Sequence, residues 1–217
     1  MRFFLAISAV ALGSLAALST SESSRINGRT LDGDEITCDL PPAEHLANIG
    51  SRVDGRGMCV MSSIEMAARW QGLTSMRGLR DWCARQPGGA YPAKVDRQIR
   101  EFCEAHGVPV PPYVQYEGPA VDPLLDLCDQ TGRIACVTYG DSPRYGRAIA
   151  HMVCCVRYGP RYGVVLDNNF PGVDSYEWMT RAELRRRVVH PTGHGWVFVW
   201  LAPPPPPPPC NTPSSPN

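Results

Sequence analysis

Cys59, His151 and Asp167 are the residues whose types and spacing could do chemistry together. They stand in Gly57-Met58-Cys59-Val60, in His151-Met152-Val153, and in Val164-Val165-Leu166-Asp167-Asn168-Asn169. A thiol can attack a carbonyl carbon, an imidazole can take and return its proton, and a carboxylate can hold that imidazole in one tautomer. Those are the three parts of a cysteine acyl-transfer site. Taken singly, each has a blander meaning. Cys59 reads as a structural or disulfide cysteine, His151 as a satisfied, partly buried histidine, and Asp167-Asn168-Asn169-Phe170-Pro171-Gly172 as a turn. Order, element type and spacing, taken together, favour the site.

A cysteine is a nucleophile only as its thiolate. If a helix begins at Cys59, its unpaired first-turn N–H groups and partial positive charge favour that anion, and an imidazolium beside it favours it further. The preceding loop, Asp54-Gly55-Arg56-Gly57, has two glycines that let backbone come close to a substrate carbonyl. The N–H of Cys59 can then meet a developing oxyanion. His151 is expected to give its Nδ1–H to the orienting side chain. Two antiparallel strands joined by a tight turn bring the start of one beside the end of the next, so His151 and Asp167, sixteen residues apart, can meet. Asn168 is the alternative orienter, exchanged for Asp167 by a small irregularity in the strand.

The elements that must position these groups follow from periodicity. Apolar Val60, Ile64, Ala67 and Ala68 recur at helical spacing from Cys59 to Trp70, closed by Gly72. Ser75 to Arg85 offers a second apolar face with Leu79, Trp82 and Cys83. Pro92 to His106 is a third helix, with proline in the first turn and Gly107 past the end; His106 faces its last carbonyls. A fourth begins at Asp122-Pro123 and stops near Gly132. Strands follow: Ile134 to Tyr139, then a hairpin of Ile149 to Tyr158 and Tyr162 to Leu166 turning at Gly159-Pro160, then an edge at Tyr176 to Met179. The hairpin strands are apolar on both faces, as central strands covered on two sides should be. Thr180-x-x-Glu183 is a capping box opening a basic helix whose Arg185-Arg186-Arg187 reads as a solvated face. Trp196 to Leu201 is the last strand. Helices before an antiparallel sheet make an α+β domain, with a cleft between its halves.

At this point a resemblance enters. The run His151-Met-Val-Cys-Cys-Val-Arg-Tyr-Gly-Pro-Arg-Tyr-Gly-Val-Val-Leu-Asp167-Asn168 resembles the His-to-Asn strand pair of papain-like cysteine peptidases. A cysteine on a helix, then His, then Asn or Asp, is the order of that superfamily. Asp167 at the third place is similar to its Cys-His-Asp members, such as bacteriocin-processing peptidases. The resemblance implies a papain-like α+β fold over about 48–201 with the site in the cleft between a helical half and a sheet half. It also implies peptide or amide hydrolysis without a cofactor, and a side-chain amide donating to the oxyanion. The glutamine usual about six residues before the nucleophile is replaced by Val53, and Val60 and Met61 replace the usual residues after it. Asn48, eleven residues upstream, is then the candidate oxyanion donor. Trp178 is expected to shield the His–Asp hydrogen bond.

Composition bounds the rest. With 21 basic and 21 acidic residues, no charged surface for nucleic acid is implied. Arg2 and the apolar stretch from Phe3 to Ala17 read as a signal peptide over 1–19, cleaved near Ser19, so no stable membrane span is expected afterwards. A polar, flexible segment then covers 20–35, the papain-like domain 36–202, and a proline-rich tail 203–217. Its seven consecutive prolines span about 22 Å as an extended helix, a possible contact with the cell envelope. Nine cysteines leave an even eight beside Cys59, which fits a disulfide framework in an exported protein, although buried free thiols explain Cys103, Cys128 and Cys136 equally well. No C-x-x-C pair or zinc-like His spacing occurs, so no metal is expected.

The expectation is therefore a secreted or envelope-located cysteine hydrolase acting on a peptide or protein. The alternatives are a transglutaminase-like acyltransferase and a catalytically silent papain-like binding module. Cleft walls are expected from 86–91 and from a 113–119 loop.

Overall fold

The computed structural model describes residues 25–26, 28–172, 176–189 and 193–203. The apolar stretch read as an export signal, Cys210 and the tail beyond 203 lie outside them. Among the described residues, no helix is long and apolar enough to cross a membrane.

The domain is α+β. In chain order the elements are β1 (Arg25–Ile26), β2 (Thr30–Leu31), β3 (Asp34–Glu35), α1 (Cys59–Trp70), α2 (Leu79–Cys83), α3 (Pro92–His106), β4 (Tyr113–Gly118), α4 (Asp122–Gln130), β5 (Ala135–Tyr139), β6 (His151–Tyr158), β7 (Tyr162–Leu166), β8 (Tyr176–Thr180), α5 (Arg181–Arg187) and β9 (Gly195–Trp200). Seven strands form one antiparallel sheet in the order β1-β8-β7-β6-β5-β9-β4, and β2-β3 is a separate hairpin.

The sheet is covered on both faces, which explains why its central strands carry no polar face. One core joins Cys136, Met152, Cys154, Leu166, Phe198 and Trp200 to apolar residues of α1, α2 and α3. The other joins Val137, Val153, Val165 and Val197 to α4 and α5 through Leu125, Cys128 and Leu184. Val60 to Ala68 are all buried, so α1 lies inside the molecule rather than on it. Its one acid there, Glu65, is 1% exposed and accepts from the N–H groups of Gly78 (3.0 Å) and Arg80 (2.8 Å) and from Arg69. A buried carboxylate thus satisfies the open start of α2 and fixes it against α1.

Four sequence expectations are revised. The helix expected over 75–85 is a 3-10 turn and then α2, parted where Gly78 takes the left-handed φ of 89°. The 113–119 loop is the edge strand β4, paired residue by residue with β9. Within 20–35, β1 pairs with β8, and the β2-β3 hairpin is fastened by Asp34, which accepts from Arg157 and Arg161 at 3.0 Å each. Arg187 is 2% exposed, not solvated, because it pairs with the fully buried Glu177 at 2.9 Å.

The hairpin of β6 and β7 contains a β-bulge. Cys154 and Cys155 face Leu166 and Val165, while Arg157 and Tyr158 face Val164 and Gly163, leaving Val156 as the extra residue. The freed Val156 carbonyl accepts from the N–H groups of Thr37 and Cys38, at 3.1 and 3.0 Å.

Candidate active site

Cys59 is the first residue of α1, and Met58 before it offers no side chain to cap the helix. The first-turn amides therefore have no side-chain partner competing for them. Cys59 is half-buried. The eight described cysteines, Cys59 included, are all free thiols, so no disulfide framework holds the described domain. The other seven are buried in its cores as small apolar side chains. Burial pushes the Cys83 and Cys128 thiols up to about 12, which makes them inert.

His151 opens β6, and Asp167 follows directly after β7. His151 Nε2 donates to Asp167 Oδ1 at 2.8 Å, with His151 6% and Asp167 0% exposed. The expected atom was Nδ1; the ring is turned the other way, which leaves Nδ1 uncommitted to Asp167 on a residue that lines the same two hollows as Cys59. Burial alone would pull the imidazole down. The hydrogen bonds and charges of Asp167 and Cys59 outweigh it and raise His151 to about 9. Burial likewise opposes ionisation of Asp167, but the bonds and charge of His151, with Tyr145 and the Asn169 N–H, hold it below the usual carboxylate range.

Asp167 is fully engaged. Its Oδ1 also accepts from the Asn169 N–H at 2.9 Å, and its Oδ2 from the Tyr145 hydroxyl at 2.6 Å. Tyr145 meets the His151 ring edge-on, centroids 5.8 Å apart, and packs on Phe170. The shielding expected of Trp178 falls instead to Tyr145, because the Trp178 indole donates to Gly28 O and meets Tyr162 edge-on.

Asn168 does not orient the ring. Its amide donates to Cys59 O (3.0 Å), Ser63 Oγ (2.9 Å) and Met152 O (3.0 Å), pinning the start of α1 to the start of β6. Asn48 is tied to the same turn: its N–H donates to Asn168 O at 2.7 Å and its side-chain Nδ2 to Asn169 Oδ1 at 2.8 Å. Gly57 is needed here, since a Cβ on it would stand 3.1 Å from Asn48 Nδ2.

Two hollows meet at the Cys59–His151 pair. One, of about 380 Å³, is lined by Val60, Ala90, Tyr91, Met152 and Trp196, with Glu117 at its wall. The other, of about 460 Å³, is more polar and includes Asn48, Tyr145, Arg147 and Asn169. Of the expected walls, 89–91 contribute directly, and Glu117 comes from β4 rather than from a loop. Among the described residues, no His, Cys, Asp and Glu side chains gather as a metal site.

The geometry joins His151 to Asp167 and seats Asn48 in the hollow that Cys59 and His151 share. Sequence reasoning missed Tyr145, Asn169 and Ser63. Tyr145 lies in the polar run Asp141-Ser142-Pro143-Arg144-Tyr145-Gly146, whose residues give no local sign of a partner twenty-two positions away. No protein-family model and no curated protein matches this sequence.

Proposed function

We propose that the chain is a papain-like cysteine hydrolase that cleaves peptide or amide bonds through a thioester. One observation carries this: the buried His151 ring bonds the Asp167 carboxylate and lines the same two hollows as the half-buried Cys59 thiol. A purely structural histidine would have no use for an ionised carboxylate on one nitrogen and a half-buried thiol in the hollow it lines.

In the reaction the Cys59 sulfur attacks the carbonyl carbon of a substrate lying across the two hollows. The oxyanion that develops receives the N–H of Cys59 and an N–H of the Asn48 side chain. His151, as imidazolium, gives its Nδ1 proton to the departing amine, and the carbonyl re-forms as a thioester on Cys59. Water then attacks the thioester, giving a proton to His151. The acid leaves as the sulfur departs, and the Cys59–His151 pair is restored. Asp167 stays ionised throughout and keeps the ring in place. The apolar hollow suits an uncharged side chain of the substrate.

Secretion rests on the N-terminal stretch alone, since the free thiols of the domain lend it no support. The test of the hydrolase reading is modification of the folded protein by iodoacetamide, mapped by mass spectrometry. Selective labelling of Cys59 at mildly acidic pH, lost in His151→Ala, is the expected result, together with hydrolysis of a peptide mixture that Cys59→Ser abolishes. Slow, equal labelling of all accessible thiols would instead favour a silent binding module. Incorporation of an amine into a glutamine peptide would favour acyl transfer to amines.

A further inference from the structure

The Asp167 carboxylate is one end of a hydrogen-bond chain that runs through Tyr145 and Asn169 to Asn48. An ionised carboxylate only accepts, so the Tyr145 hydroxyl must donate to Asp167 Oδ2, at 2.6 Å. With its proton committed, the Tyr145 oxygen can only accept, and it does so from Asn169 Nδ2 at 3.0 Å. The Asn169 amide is thereby turned with its Oδ1 outward, and Asn48 must present Nδ2 to it, at 2.8 Å. Flipping Asn48 would set two acceptor oxygens against each other. The orientation is kept although it leaves Asn48 Oδ1 buried without a hydrogen-bond partner. An unsatisfied buried acceptor is costly, so the chain dominates the choice. One Asn48 N–H remains uncommitted, on a residue lining the same hollow as Cys59 and His151.

We infer that Tyr145 and Asn169 are positioning residues that hold the Asn48 amide nitrogen toward the oxyanion, so that the carboxylate orienting His151 also sets the oxyanion donor. This rests on the hydrolase reading and deepens it. The group that steers the base and the group that receives the oxygen are one polarised network, which keeps both in register while charge moves between sulfur, ring and oxygen. Phe170 packs on Tyr145 and Arg144 lies 4.2 Å above the Phe170 ring, so the hydroxyl is held from behind by the same turn.

The test is binding of a peptide aldehyde. The Cys59 sulfur adds to the aldehyde carbon, forming a C–S bond as the carbonyl π bond opens. The thiol proton reaches that oxygen by way of His151, so affinity reports the oxyanion donors. Asn48→Ala is expected to weaken binding by about 10²-fold, the usual effect of losing one such donor. Asn169→Ala and Tyr145→Phe are expected to weaken it about tenfold, and combining either with Asn48→Ala should add nothing, the signature of one coupled unit. Asn169 is exposed and touches neither Cys59 nor His151 through its side chain, so Asn169→Ala should fold and should leave Cys59 alkylation by iodoacetamide unchanged. Wild-type aldehyde affinity in Asn169→Ala and Tyr145→Phe, or full additivity with Asn48→Ala, overturns this inference alone. Loss of His151-dependent Cys59 alkylation in the wild type would overturn the hydrolase reading and this inference together.

Discussion

The Asn168 amide and the Cys59 carbonyl are joined by a 3.0 Å hydrogen bond, so the residue next to Asp167 grips the first residue of α1. The same amide reaches Ser63 and Met152, and through them the two walls of the site are held at one spacing. Asn168→Ala removes an amide whose two N–H groups serve three acceptors, two of the contacts buried, and leaves those acceptors bare. A loss of about 2–3 kcal/mol in urea unfolding is expected. The His151 titration followed by NMR should stay close to wild type, because Asp167 remains. A collapse of the His151 titration in this variant would make Asn168 the orienter.

The His151–Asp167 pair makes stability depend on pH in a defined direction. His151 stands at about 9 in the folded state against 6.5 without the fold. Its contribution is therefore whole below about pH 6.5, declines as the unfolded chain releases its proton, and is gone above about pH 9. Asp167 is lowered from 3.8, so its contribution is present above that value and lost as acid reaches its folded pKa. Urea midpoints should fall between about pH 6 and about pH 9, and Asp167→Asn should flatten that fall. An identical alkaline decline in Asp167→Asn would place its origin elsewhere.

Gly57 is held to its small size by Asn48, not by an unusual backbone angle. A methyl group there presses on the Asn48 amide from 3.1 Å, so the amide must yield by a few tenths of an ångström. Gly57→Ala should lower kcat about tenfold, with KM and the unfolding midpoint nearly unchanged. A rise in KM alone would mean that Gly57 serves substrate entry instead.

Arg187 and Glu177 form a buried ion pair to which Tyr139 and Ser142 also donate or accept. Ser142 in turn accepts the Tyr145 N–H on its carbonyl at 3.0 Å, which roots the loop carrying Tyr145. Arg187→Met leaves the Glu177 charge buried and should cost about 3–5 kcal/mol in unfolding free energy, whereas Arg187→Met with Glu177→Leu should recover most of it. Equal losses in the single and double variants would show that packing volume, not charge, holds this corner.

Periodicity and end signals made α1, α3, α4, α5 and the β6-β7 hairpin legible, because each carries its own instruction. Pro92 and Gly107 bracket α3, and Thr180 Oγ1 accepts from the Glu183 N–H at 3.2 Å as the capping box requires. What failed to show was long-range. Tyr113–Gly118 has weak alternation between prolines and becomes a strand only because β9 lies beside it. Two-residue strands such as β1 have no periodicity to detect. At the site, the neighbours His151 and Asp167 could be named from order and spacing, and Cys59 as lining the same hollow as His151. The ring's rotation, the Tyr145–Asn169–Asn48 chain and the buried Arg187 depend on folded neighbours that no local window contains.

The extra residue at Val156 has a consequence at the far end of the hairpin. Because it shifts the pairing by one, Cys154 stands opposite Leu166, and continuing that count sets Asp167 level with Val153. Were Val156 instead paired with Val165, the count fixed near the turn by Tyr158 and Gly163 would run on unbroken, and Asn168 would arrive level with Val153. Whether an acid or an amide arrives at this level is thus decided by a miscount in the backbone about a dozen ångströms away, at the rise of a strand.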